Sequence, residues 1–295
     1  MTHLARIAGR LTVMLACMLQ ITAAGAAGPV LHEQASPFGP IVVTDEGDGL
    51  RALRFGRDGV RQSLVRPDDP EYLGLPYITA MLAGLALSAG QQRFLVIGLG
   101  GGTLPAFLRK KFPDADIDAV DINPEVVAVA KTWLGFREDA RMRIHVADGR
   151  KFIESVQQPY DVILLDAFGA DAVPAHLTTA EFLAAVRRAV RDDGIVISNV
   201  WRTASNPPYA SMVQTYLNGF GGLHVLRVAS TNNRILLALP RVQTLTRQGF
   251  AALAGRLSTD RSFRFNAAPL VERGWTPADN EAHGGAVLTD AAISR

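Results

Sequence analysis

Phe94 to Asp121 reads FLVIGLGGGTLPAFLRKKFPDADIDAVD, and this stretch decides the fold. Phe94-Leu95-Val96-Ile97 is an apolar run with the length and β-branched content of a buried parallel strand. Gly98, Gly100, Gly101 and Gly102 follow at once. Leu104, Phe107, Leu108 and Phe112 then recur at helical spacing, with Pro105 in the first turn, where its missing N–H costs little. A second strand, Ile117 to Val120, ends on Asp121. Glycines let the backbone approach a ligand at a sheet edge, and a carboxylate at the next strand end can accept hydrogen bonds from a ribose diol. Thr103 stands where the dinucleotide fingerprint GxGxxG needs its third glycine. A turn that only packs helix on strand would use the same glycines.

Outward from this unit the alternation continues. Asn123-Pro124 caps a helix running to about Leu134. Met142 to Val146 is a strand followed by Asp148-Gly149 and a short helix over 150–156. Tyr160 to Leu165 is a strand ending in Asp166. Thr178 and Glu181 have capping-box spacing and start a helix to about Arg191. Gly194 to Val200 is the fifth strand and Pro207 to Phe220 the next helix. Leu223 to Ala229 and Arg234 to Leu239 close the sheet as an antiparallel pair across Thr231-Asn232-Asn233. The pattern predicts an α/β, Rossmann-like domain over 91–240, mostly parallel and closed by that pair. Ahead of it, 27–90 reads as a small β-meander with strands at 41–43, 50–55 and 60–64, and then a helix from about 75 to 88. Beyond Pro240 the expectation is one amphipathic helix, about 245–257, and a polar, loosely ordered tail to 295.

In an open parallel sheet ligands bind beyond the carboxyl ends of the strands, so Asp121, Asp148 and Asp166 form one constellation although they are far apart in sequence. Asp121 suits a ribose and Asp166 a cationic or amine group near the reacting atom. Asp148 suits the exocyclic amine of an adenine, but as the residue before a helix it equally suits an N-cap. His176, on the loop after Asp166, has the chemistry to move a proton near neutral pH, and also reads as a surface histidine before a helix cap. Asn199 and Trp201 end the fifth strand near the same edge, where packing accounts for the tryptophan. Tyr77 reads first as a helix tyrosine with its body in the core.

The 295 residues are 48% hydrophobic with a net charge of +2, which suits one large α/β domain with a small appendage and gives no support for a nucleic-acid surface. Residues 1–26 have the pattern of a secretory signal: Arg6 and Arg10, an apolar core from Leu11 to Ile21 too short to span a bilayer, and Ala24-Gly25-Ala26 as a cleavage site. The chain is therefore expected to be exported, to the periplasm, and to be cytoplasmic if that segment is no signal. The one cysteine, Cys17, lies inside it, so the mature chain would hold no disulfide or thiol nucleophile. The six histidines show no metal-ligand spacing, and no metal is expected.

The order of these motifs resembles the class I S-adenosylmethionine-dependent transferases, and more narrowly the spermidine synthase (polyamine aminopropyltransferase) family. Val120 to Val127, VDINPEVV, resembles that family's VEIDPEVV. Ala147 to Phe152 resembles its GDGxxF, and Tyr160 to Asp166, YDVILLD, its YDVIIVD. The resemblance covers about 36–240. The stretch 95–148 is also similar to a eukaryotic methyltransferase domain that modifies a translation elongation factor. The resemblance implies that Gly98, Gly100, Gly101, Gly102, Asp121, Ile122, Asp148 and Gly149 hold S-adenosylmethionine or its decarboxylated form as co-substrate. It implies an amine or polyamine acceptor at Asp166, with Asp171 and His176 as neighbouring groups. The chain departs from the family in three places. The family's Tyr-His-Glu cluster before the first strand has no clear match, although Tyr77 could stand for its tyrosine. The glycine loop of this chain carries no acid, and Gly169 stands where a second acid follows the first by three residues, with Asp171 out of register. The missing acids favour methyl transfer, or another acceptor, over spermidine synthesis. Two other readings use the same residues: an exported nucleoside- or polyamine-binding protein that has lost catalysis, and an NAD-dependent dehydrogenase, which leaves Asp148 and Asp166 without a role. The sequence leaves the oligomeric state open, a homodimer included.

Overall fold

The computed structural model describes residues 28–169, 172–202 and 208–293, so the expected leader with Cys17, and Asp171, lie outside the described residues. Two sheets form. The smaller is antiparallel in the order β1-β2-β3-β4, built from Val30–Gln34, Ile41–Gly47, Leu50–Phe55 and Arg61–Val65. Its first strand was not expected. Within that strand only Val30 and Leu31 are apolar, and it is held as an edge by backbone pairing to β2. Ile41, Val43, Leu53 and Val65 pack against Val126, Val129 and Leu134, so the small sheet sits beside the helix that follows Asp121.

The larger sheet has eight strands. β5 (Arg93–Ile97), β6 (Asp116–Asp121), β7 (Met142–Val146), β8 (Tyr160–Leu165) and β9 (Val190–Trp201) are parallel, and β10 (Gly222–Arg227), β11 (Asn233–Leu239) and β12 (Trp275–Pro277) are antiparallel. The spatial order is β12-β10-β11-β9-β8-β5-β6-β7. β7 and β8 fall where the sequence placed them. The order in which the chain adds strands reverses at β5, with β6 to one side and β8 to the other, which opens a crevice at its carboxyl end. The β5 side chains show why its sequence is apolar throughout. Phe94 and Val96 join a core with Met81, Leu82, Phe107 and Phe250, whereas Leu95 and Ile97 join another with Phe182, Val213 and Tyr216. Both faces of the sheet are covered.

Helices α1 (Pro76–Gly84), α2 (Thr103–Lys111), α3 (Pro124–Trp133), α4 (Gly149–Glu154), α5 (Ala180–Ala189) and α6 (Tyr209–Gly219) connect these strands, mostly within a few residues of the expected bounds. The cap of α5 differs. Thr179, not Thr178, accepts from the Phe182 amide, and the Thr178 hydroxyl donates to the Ala175 carbonyl in the preceding turn. The end of the chain also differs from the loosely ordered tail expected. After α7 (Arg247–Asp260), α8 (Ala268–Gly274) leads into β12, which adds to the main sheet beside β10. Phe263 and Phe265 stack on one another and close over Phe107, with ring centroids 5.1 and 6.5 Å from it. These aromatics supply the apolar area that anchors the segment.

One polar network is built into the sheet. Asp118 on β6 is 5% exposed and accepts from the Tyr160 hydroxyl at 2.9 Å, with His145 Nε2 at 2.8 Å and Arg143 Nε at 3.3 Å. Burial raises its pKa, but these three partners outweigh it and hold the carboxyl below its usual value. Asp118→Ala would remove the acceptor of the buried Tyr160 hydroxyl proton and is expected to cost about 2–4 kcal/mol of stability. The urea midpoint at constant m-value reads this; an unchanged midpoint would mean that the network adds nothing.

Candidate active site

The carboxyl ends of β8, β5, β6 and β7 lie side by side and place Asp166, the glycine loop, Asp121 and Asp148 along one edge. They border a cavity of about 290 Å³, lined on the other side by Phe38 of the β1–β2 turn, by Phe55, Gln62 and Ser63 of the small sheet and by Tyr77 of α1. Gly98, Gly100, Asp121, Ile122, Asp148, Gly149, Asp166 and His176 all line it. Gly101 and Gly102, expected at the nucleotide too, do not appear in its wall. The Gly101 amide donates to Ser63 Oγ at 2.8 Å and so fastens the loop to β4, and Gly102 lies against Phe136. At Gly98 the close approach is part of the site. Its φ is +96°, and a β-carbon there would meet the Asp166 carbonyl oxygen at 2.4 Å, so only glycine lets β5 and β8 deliver their ends together.

Asp121 is anchored before any ligand arrives. Its Oδ2 accepts from the Leu99 amide and its Oδ1 from the Asn123 amide, each at 2.9 Å, so the acid shapes the glycine loop and the entry to α3. Burial raises its pKa, and the amides of Asn123, Leu99 and Gly100 only partly offset that. With three amides on its four lone-pair sites, the carboxylate keeps room for one further donor from the cavity. Ile122, 44% exposed, presents an apolar side chain next to it. Asn123 caps α3 through its carbonyl oxygen and gives its amide to Ser36 Oγ at 3.0 Å, tying the β1–β2 turn to this corner.

At Asp148 the N-cap reading holds, and the same carboxylate lies on the cavity wall. Oδ1 accepts from the Lys151 amide at 2.9 Å, which is the N-cap of α4, and Oδ2 lies 2.9 Å from His176 Nε2. Burial works against ionisation, but the Lys151 amide and His176 dominate and lower the pKa. His176 therefore makes its hydrogen bond on the β7 side of the crevice, to Asp148, rather than to the acid it was expected to assist.

Asp166 has the most perturbed carboxyl in the cavity. Tyr77 Oη donates to its Oδ2 at 3.0 Å and Asn199 Nδ2 to its Oδ1 at 2.9 Å. Burial pushes its pKa up to about 7 against the opposing effect of those two donors. Tyr77 is thus a site residue and not only a core tyrosine, which corrects the sequence reading. Its own ionisation is driven well above its usual value by burial and by the adjacent carboxylate. Asn233, read from sequence as part of a turn, donates through Nδ2 to Asn199 Oδ1 at 2.8 Å and extends the network to β11. Phe168, beyond the end of β8, and Trp201, at the end of β9, pack at a tilt of 33° with ring centroids 4.9 Å apart. No periodicity announces Tyr77 or Asn233; for Tyr77 the signal was the family's tyrosine before the first strand, and for Asn233 only a polar side chain at the start of a strand.

An acid with a value near neutrality, held by neutral donors beside an apolar cleft, can bind a cation and then accept its proton. The sequence matches the Spermine/spermidine synthase domain over residues 76–221. The chain is 34% identical over 239 residues to a polyamine aminopropyltransferase of Vibrio vulnificus, covering 77% of this chain and 79% of that protein. Among solved structures it is similar to a probable spermidine synthase from Corynebacterium glutamicum, with a TM-score of 0.73 and 17% identity over 89% and 97% of the two chains. It is also similar to human methyltransferase-like protein 13 in complex with SAH, with a TM-score of 0.59 and 29% identity over 64% and 93%. Family match, relative and fold agree with the row of strand-end acids, and the chain belongs to the spermidine synthase family of transferases.

Proposed function

We propose that the chain binds S-adenosylmethionine with its adenosyl part against Asp121, Ile122 and Asp148, and transfers the methyl group to an amine acceptor seated at Asp166. The nucleotide supplies a sulfonium whose attached carbon is electrophilic. The protein has to align an amine in line with that carbon and free its lone pair. The observation that carries the reading is the Asp166 carboxyl, raised to about 7 within a cluster of neutral donors. As carboxylate it attracts an ammonium, and at that value it can take the proton whose removal exposes the nitrogen lone pair. Tyr77 and Asn199 hold both oxygens, so the carboxylate keeps one orientation toward the cavity.

Methyl transfer is preferred over aminopropyl transfer because of the charges along the wall. Among the described residues lining the cavity the carboxylates are Asp121, Asp148 and Asp166, and the glycine loop carries none. A decarboxylated nucleotide would bring a lone aminopropyl ammonium to a loop that supplies no acid of its own, and the carboxylate that reaches the loop from β6, Asp121, already accepts from backbone amides. The carboxylated nucleotide carries its own counter-charge. Calorimetry with the two nucleotides tests this. The expected result is tighter binding of the carboxylated form by at least about tenfold, a difference of about 1.4 kcal/mol. A preference for the decarboxylated form would overturn methyl transfer and leave aminopropyl transfer. Failure to bind either would overturn the transferase mechanism.

A further inference from the structure

We propose that Asn233 is a positioning residue for the acceptor carboxylate, acting through Asn199 by deciding which end of that amide faces Asp166. The proposal rests on the reading of Asp166 as the acceptor group. Asn199 is buried on β9 between two partners. Its nitrogen donates to Asp166 Oδ1 at 2.9 Å and its oxygen accepts from Asn233 Nδ2 at 2.8 Å. An amide has one donor end and one acceptor end, so the row has two self-consistent arrangements. In the first, Asn233 donates to Asn199 and Asn199 donates to an ionised Asp166. In the second, both amides are turned over, and the Asn199 oxygen accepts from a protonated Asp166. The amide row and the proton on Asp166 are therefore coupled, and whatever biases Asn233 biases the acid.

The surroundings leave this route open. Tyr77 from α1 is the titratable side chain hydrogen-bonded to Asp166, and Asp121, Asp148 and His176 line the same cavity at the ends of the other strands. Arg234, next to Asn233, donates from Nη1 to the carbonyls of Thr231 and Asn233 and has its Nε buried, and Arg202 lies 3.8 Å from Glu281. Asn233 is paired with Trp201 across the β9–β11 ladder, which sets its side chain opposite the end of β9. The antiparallel addition to the parallel sheet thus contributes to the acid at the end of β8.

The isosteric variant Asn233→Asp separates this role from a purely structural one. An ionised carboxylate at 233 can only accept, so it turns the Asn199 nitrogen toward itself and leaves the Asn199 oxygen facing Asp166. The titration is read by 13C NMR on free protein labelled at the aspartate side-chain carboxyls, with Asp166 assigned from the signal missing in Asp166→Asn. Asn233→Asp should raise the Asp166 midpoint by about one pH unit or more, and Asn233→Leu by less. The same Asn233→Asp change in an Asn199→Leu background isolates the direct effect of the new charge, and there the shift should fall to less than about half. A midpoint unmoved by Asn233→Asp, or moved equally without the Asn199 amide, would overturn the proposal. If Asp166→Asn left the transfer rate intact, Asp166 would not be the acceptor group at all. That outcome overturns the functional reading itself, and it is distinct from failure of the relay because the NMR titration needs neither nucleotide nor acceptor.

Discussion

Asp166→Asn is expected to lower the rate of transfer by about 100- to 10,000-fold, the usual worth of a positioned proton acceptor, while nucleotide affinity stays within a few-fold. The amide keeps the shape of the carboxylate but neither attracts an ammonium nor accepts its proton. Asp166 lies at the end of β8, on the other side of the glycine loop from Asp121 and Asp148, so the nucleotide contacts survive. The wild-type rate should rise with pH through about 7, because the active form is the carboxylate, and this rise should be absent from the residual activity of the variant. Stability runs the other way. A carboxyl whose folded pKa is raised above its unfolded value of about 3.9 holds a proton in the folded state that the unfolded chain has released. Its contribution is fully present below pH of about 4 and is lost as pH rises to about 7. The melting temperature of Asp166→Asn relative to wild type should therefore climb across that window. A wild-type rate in the variant at saturating acceptor would remove Asp166 from the chemistry, and a flat difference in melting temperature would mean that the carboxyl titrates normally.

Asp121→Ala is expected to weaken nucleotide binding by about 1.5–3 kcal/mol, roughly 10- to 150-fold, from the loss of charge-assisted hydrogen bonds to the ligand. The structure adds a second source of loss. The same carboxylate accepts the Leu99 and Asn123 amides, so its removal also frees the glycine loop that borders the cavity. The chain should nevertheless fold, since Asp121 sits at a strand end and its backbone pairing to β7 is retained. Asp121→Asn divides the two effects. The amide oxygen can still accept one backbone N–H, so an affinity between those of wild type and alanine points to loop anchoring as part of the role. Calorimetry at fixed salt measures both variants, and an unchanged dissociation constant for Asp121→Ala would take this residue out of the site.

How much of the site was legible in the chain follows from where each signal resides. β7, β8 and the glycine loop were read closely because each is a contiguous pattern: an apolar run, a set of glycines, an acid directly after the strand. Asp121, Asp148 and Asp166 could be grouped without coordinates because strands of a parallel sheet end on the same edge. The edge strand β1 escaped notice because little in its sequence is apolar and its stability comes from backbone pairing to β2. β12 and the aromatics before it escaped because three residues carry no period of their own, and their anchoring depends on Phe107, far back in the chain.

The sequence by itself therefore determined the α/β class, the succession of the parallel strands along the chain and the row of acids at their ends, since these are properties of local pattern and of a general rule of sheet geometry. Only the tertiary structure decided what each acid does. Asp121 proved to anchor the loop it faces, and Asp148 to be at once a helix cap and the partner of His176. Asp166 meets Tyr77 from 89 positions away and Asn199 from 33, and the row continues to Asn233, 34 positions beyond Asn199. The proton affinity of a carboxyl depends on how deeply it is buried and on which donors reach it. Both are set by distant segments converging on one point, and a one-dimensional pattern holds no record of that convergence.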